Sequence, residues 1–139
     1  MPAPTPRWGR IQDKGEFDLV LSSRQRLRTS DLVLHMAFDK PPTHTSRPTH
    51  RLGLVVPKRW ARRAVTRNAI RRLSVVAFQQ KWNQLPSGSY VIRLAQAWDP
   101  AVYRSAWSKV LRQAVTAEVS ELLQLAVTMP AAVKTRGLS

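Results

Sequence analysis

The residues Lys58 to Arg72, KRWARRAVTRNAIRR, constrain this chain more than any other stretch. Seven of the fifteen are basic (Lys58, Arg59, Arg62, Arg63, Arg67, Arg71 and Arg72) and none is acidic. No Asp or Glu occurs anywhere between Asp39 and Asp99. Charge of one sign at this density repels itself, so the fold must leave the segment open to a polyanion. Nucleic acid meets that demand best, because each neutralised phosphate releases a condensed counterion. An anionic membrane surface is the weaker alternative.

The imbalance is local. Residues 40–98 carry twelve basic and no acidic side chains, against six and five in residues 1–39 and five and three in residues 99–139. The partner is therefore expected to meet the middle third of a chain whose formal net charge is +15. At 139 residues one domain with a modest core is expected. The absence of cysteine excludes a disulfide scaffold, a thiolate metal site and a thiol nucleophile. The N-terminus, MPAPTPRWGR, lacks the apolar run of a signal peptide, and no stretch is long and apolar enough to span a bilayer. A cytoplasmic protein without membrane contact is expected.

Residues 1–10, with three prolines, predict a flexible N-terminal arm, residues 11–127 one domain, and residues 128–139 a flexible C-terminal tail. Asp13 and Glu16 have the spacing of a capping box and precede Phe17, Val20 and Leu21, which predicts a helix over 14–22. The polar SSRQRLRTS that follows reads as a solvated loop. Alternation of Leu32, Leu34, Met36 and Phe38 with Val33, His35 and Ala37 predicts a strand. The proline-rich stretch at 40–50 reads as a loop, and Leu52 to Val56 as a buried strand ended by Pro57.

The basic stretch has helical periodicity from about Arg62. Ile70, Leu73 and Ala77 form an apolar row, while Arg63, Arg67 and Arg71 stack on a neighbouring face. Tyr90 to Leu94 predicts a third strand. Asp99-Pro100 predicts a helix start, with Tyr103, Trp107, Val110, Leu111, Ala114, Leu122 and Leu125 on its apolar stripe. The resulting order, α-β-β-α-β-α, is an α+β sandwich of helices on one small sheet.

Enzymatic constellations are thin. His44 and His50 lie in the proline-rich stretch and read as solvated loop residues, because no Cys or acidic residue keeps metal-ligand spacing with them. A middle third without carboxylates argues against a two-metal nuclease, and there is no Gly-rich phosphate loop. No catalytic residue and no metal site is expected in the protein. An arginine row is commonly a solvated helix face, but such faces normally interleave acids, and here none is present. Trp60 and Trp82 flank the helix and read as partly buried packing rather than base-stacking platforms. From spacing alone Phe17 and Leu21 read as core.

The segment RLGLVVPKRWARRAVTRNAIRR, Arg51 to Arg72, resembles the signature of the bacterial ribonuclease P protein family. That signature is a strand R-x-G-L-x-V, a basic pair, then A-V/H-x-R-N-R-I-K-R on a helix. The likeness extends over roughly residues 11–115. It implies an α+β, two-layer α-β sandwich, ribosomal protein S5 domain 2-like, with a left-handed β-α-β crossover, against the usual hand. It further implies a protein subunit that binds the catalytic RNase P RNA and the 5′ leader of precursor tRNA. The RNA performs a magnesium-dependent hydrolysis that frees the mature tRNA 5′ end, and no protein partner is implied.

Carried over by position, Lys58, Arg59, Arg63, Arg67, Asn68, Arg71 and Arg72 resemble the RNA contacts, and Arg62 joins the same basic run. Phe17, Leu21 and His35 fall where the family lines its leader cleft with aromatic side chains. The chain departs from the pattern at Ala69, where a basic residue is usual, at Val75-Val76 for an Arg-Glu pair, and at Ser89 for an acid. Leu21 and His35 stand where Phe and Tyr are common. The competing readings are a non-catalytic structural RNA-binding protein, such as a ribosomal or assembly factor on the same fold, and a basic DNA-binding protein. Against the latter, neither a helix-turn-helix partner nor a dimerising heptad is visible.

Overall fold

A computed structural model of the chain describes residues 6–39, 48–96 and 109–129. The elements in order are β1 (Trp8–Arg10), α1 (Lys14–Leu21), β2 (Gln25–Arg28), β3 (Leu32–Phe38), β4 (His50–Val55), α2 (Ala64–Lys81), a 3-10 turn (Trp82–Gln84), β5 (Gly88–Leu94) and α3 (Lys109–Val127). The five strands form one mixed sheet in the order β1-β4-β5-β3-β2. β4 is parallel to both β1 and β5, while β3 is antiparallel to β5 and β2. β4, α2 and β5 therefore make a parallel β-α-β crossover.

Alternation sorts the strand residues between two faces. Leu32, Leu34, Met36, Leu52, Tyr90, Ile92 and Leu94 are all but inaccessible and form one cluster with Ile70, Ala77 and Phe78 of α2 and Leu111, Val115, Val119, Leu122 and Leu123 of α3. The helical layer thus covers one face. α1 lies on the other, with the Phe17 ring so close to Gly53 that a Cβ there would meet Cε2 at 2.5 Å. The glycine of the R-L-G-L segment is required by that approach of ring to backbone.

Three expectations change. Trp8 to Arg10, placed in a flexible arm, form β1, because Trp8 packs edge-on against Phe78 with ring centroids 5.6 Å apart. Gln25 to Arg28, taken as a solvated loop, form the edge strand β2, where Arg26 and Arg28 suit an outer strand that has one side in water. His50, taken as a solvated loop residue, opens β4 and is 5% exposed. Its Nε2 lies 2.8 Å from the Leu85 carbonyl, and its ring meets Trp82 edge-on at 5.0 Å. His44, the Asp99-Pro100 start, Tyr103, Trp107, the first five residues of the arm and residues 130–139 of the tail lie outside the described residues.

Asp13 caps α1 as its spacing predicts, accepting hydrogen bonds from the backbone N–H groups of Gly15 and Glu16. The Glu16 carboxylate lies 3.2 Å from Nε of Arg51. Arg51, with 5% of its side chain exposed, also donates to Asp39 through Nη2 at 2.7 Å, to Ser89 Oγ at 3.0 Å and to the Pro48 carbonyl at 2.6 Å. One buried guanidinium thus ties together α1, β4, β5 and the end of β3. Ser89, where the resemblance leads one to expect an acid, is one of its acceptors, and Glu16 and Asp39 supply the negative charge.

Candidate nucleic-acid interface

α2 begins without a side-chain cap. Its N-cap residue, Arg63, has extended backbone angles (φ −86°, ψ 135°), and the first turn holds no acid. With no side-chain cap over them, the N–H groups of that turn form the positive end of the helix dipole. Lys58, Arg59, Arg62 and Arg63 are exposed in the loop that leads into it, and Asn68, Arg71 and Arg72 are exposed along the helix. Positive side chains crowding the positive end of a helix raise the electrostatic cost of the apo state, and a phosphate relieves it.

Arg67 differs from its neighbours in the row. It is half-buried, and its Nη1 donates to the carbonyls of Ala61 at 3.0 Å and Arg62 at 2.7 Å. It clasps the 57–63 loop against the first turns of α2, so its role is in large part to hold the other arginines in place. Arg71 donates to Asn68 Oδ1 at 3.3 Å, which draws two of the carried-over residues together. The Arg59 guanidinium lies 5.1 Å from the Trp60 ring centroid, while Trp60 and Trp82 are half-buried against the core, as packing residues. Ala69 is only 8% exposed, so it does not stand on the open arginine row, and Val75, where the resemblance leads one to expect a charge, packs against the core.

On the opposite face of the sheet, Phe17 is half-buried and lines an open groove of about 370 Å³ with Ile11, Gln12, Asp13, Lys14 and Asp18. Leu21 and His35 do not line it. Leu21 is half-buried, and His35 is 2% exposed, so its ring has no free face for a base. The sequence reading missed the partner of His35. Arg93 on β5 donates from Nε to His35 Nε2 at 3.1 Å. Since an arginine can only donate, Nε2 accepts and the proton of the neutral ring sits on Nδ1, which is buried with no partner among the described residues.

Burial, helped by the charges of Arg93 and Arg26, lowers the His35 pKa from 6.5 to about 4. Burial likewise lowers that of His50. Both rings therefore bind protons less readily in the folded than in the unfolded state. Stability is full above about pH 6.5 and falls as pH drops from there toward 4, with His35 alone accounting for about 3 kcal/mol. Urea titrations at pH 7.5, 5.5 and 4.5 are expected to show this decline, and His35→Gln to flatten it. A wild-type midpoint that stays level over that range would contradict the buried neutral ring.

A basic helix and a leader cleft are the parts that the resemblance implies, and comparison with known proteins decides the family. The family model described as Ribonuclease P matches residues 6–117. The chain belongs to the ribonuclease P protein family. The Ribonuclease P protein component of Burkholderia mallei is 35% identical over 124 residues, covering 89% of this chain and 86% of the relative. That of Bordetella petrii is 36% identical over 106 residues, with 76% and 85% covered.

Among solved structures, the RNase P protein of Staphylococcus aureus matches with a TM-score of 0.62 at 20% identity, over 84% of this chain and 94% of that one. The RNase P protein of Thermotoga maritima matches with a TM-score of 0.58 at 18% identity, over 88% and 99%. The two-layer α-β sandwich is thus the fold of the solved ribonuclease P proteins. Membership makes the chain the protein part of ribonuclease P, an endoribonuclease ribonucleoprotein of tRNA processing that works with RNase P RNA. The reading as a ribosomal or assembly factor is not favoured.

Proposed function

We propose that the α2 surface binds the RNase P RNA while the α1 side of the sheet grips the 5′ leader of precursor tRNA, in the cytoplasm. The observation that carries this reading is the surface at the start of α2, where six exposed cations (Lys58, Arg59, Arg62, Arg63, Arg71 and Arg72) stand with no acid in the first turn. Arginine suits both halves of the task, since its planar fork pairs with phosphate and its face stacks on bases. Phe17, held against Gly53, offers the leader a ring at the groove wall. Leu21, one helical turn from Phe17, and His35, in the sheet row that begins at Gly53, complete the leader side of the sheet in this reading.

The protein's part is to neutralise phosphates and orient RNA. Magnesium supplies the activated water and the charge stabilisation of the hydrolysis. Among the described residues no three His, Cys, Asp or Glu side chains gather in a metal-binding group, and in this reading the ion is held mainly by the RNA. No helix among them is long and apolar enough to cross a membrane.

The test is reconstitution with RNase P RNA from the same organism, followed by precursor tRNA cleavage at low magnesium. Added protein is expected to restore cleavage that the RNA alone performs poorly, because fixed cations substitute for diffuse ones around the phosphates. Cleavage that the protein leaves unchanged would contradict the proposal.

A further inference from the structure

Arg93 stands in the middle of the sheet, half-buried, on the face that α1 only partly covers. The strand registers place Val55, Arg93, Val33 and Arg28 side by side across β4, β5, β3 and β2. The adjacent row is Gly53, Val91, His35 and Arg26, which begins beneath the Phe17 ring. Val55 is followed by Pro57, Lys58 and Arg59, so the first row starts at the basic loop and ends, about 14 Å away at ordinary strand spacing, on an exposed arginine of the edge strand.

Arg93 is a cation whose surroundings do not neutralise it. Its Nε is occupied by His35, which accepts as a neutral ring and contributes no negative charge. Among the described residues its two Nη groups have neither a hydrogen-bond nor an ion-pair partner. Glu16 and Asp39 are both engaged by Arg51, and Asp31, two residues before the Val33 that pairs with Arg93, accepts from the side-chain amide of Gln96. The contact with His35 fixes the plane of the guanidinium while the two outer nitrogens stay available, which is the preorganised arrangement a bidentate phosphate contact requires. Holding a half-buried charge in this state costs stability unless an anion completes it.

We propose that Arg93 binds a phosphate of the leader strand as it crosses the sheet, with His35 as the residue that positions its guanidinium. This rests on the leader reading above and adds to it a residue on β5 and a direction, from the 57–59 loop toward Arg28. His35 on this account acts through a hydrogen bond and does not stack on a base.

The test uses the reconstituted holoenzyme and compares affinity for precursor tRNA with that for mature tRNA. Arg93→Ala is expected to cut the leader-dependent gain about 5- to 10-fold while sparing mature tRNA, and to flatten the salt dependence of precursor binding by about 0.7, the signature of one single-strand phosphate released. Arg93→Met keeps the aliphatic stem if the shorter variant does not fold. His35→Gln, whose amide oxygen accepts from Nε, is expected to retain more of the gain than His35→Phe. A folded Arg93 variant with the full gain, or with equal losses for both ligands, would overturn the proposal. Full retention in His35→Phe with loss in His35→Gln would overturn the positioning role. A wild-type holoenzyme with no leader-dependent gain would overturn the leader reading itself.

Discussion

Arg51→Met is expected to lower the stability of the folded chain by about 3 kcal/mol. The substitution keeps the bulk of the side chain but strands the carboxylates of Glu16 and Asp39, whose side chains are 17% and 31% exposed. Removing one partner of a buried ion pair costs about 3–5 kcal/mol, and the residual exposure of Asp39 to water puts this case at the low end. The pair itself need not add net stability, since desolvation offsets its attraction. The penalty arises because the remaining carboxylates lose the cation that compensates their burial. Denaturant unfolding with an unchanged slope and a lowered midpoint would register it. A destabilisation below about 1 kcal/mol would mean that water already shares the site.

Replacing Arg63, Arg71 and Arg72 together by alanine is expected to leave folding nearly unchanged and to weaken assembly with RNase P RNA about a thousandfold. All three are exposed, and none packs into the core. Each phosphate left without its arginine costs somewhat over about 1 kcal/mol of binding, and log affinity should fall less steeply with log salt by about 2–3. Arg67→Ala should behave differently, because its guanidinium holds the Ala61 and Arg62 carbonyls. Its weaker binding should come with lower thermal stability. Filter binding over a salt series, alongside thermal unfolding, separates the two cases. Equal affinity for the triple variant and the wild type would contradict the α2 surface.

The partner class was legible in the sequence because it depends on charge, and charge needs no tertiary structure to be counted. The apolar rows were legible for a similar reason, since the alternation in Leu32 to Phe38 and the spacing of Ile70 and Ala77 pick out the side chains that meet in the main core cluster. What escaped was decided by contacts between distant residues. β1 is three residues long and carries no period, yet Trp8 finds Phe78 seventy positions away. β2 is largely polar and exists because β3 offers it a ladder.

His35 looked like a cleft residue by position, and only the approach of Arg93 over a separation of 58 residues shows it to be buried and accepting. Arg67 has the same helical spacing as Arg63 and Arg71, but the 57–63 loop folds back onto it alone. Spacing orders side chains around a helix. It does not say which of them the rest of the chain will cover.

The measurement that bears most directly on the leader groove is the ratio of affinities for precursor and mature tRNA, taken with RNase P RNA alone, with the wild-type holoenzyme and with Phe17→Ala. The protein is expected to raise the precursor-to-mature ratio above that of the RNA alone, and Phe17→Ala to remove most of that rise, since one stacked base contributes about 1–3 kcal/mol. A ratio that the protein does not change, or one that Phe17→Ala leaves intact, would contradict the assignment of the α1 side of the sheet to the leader.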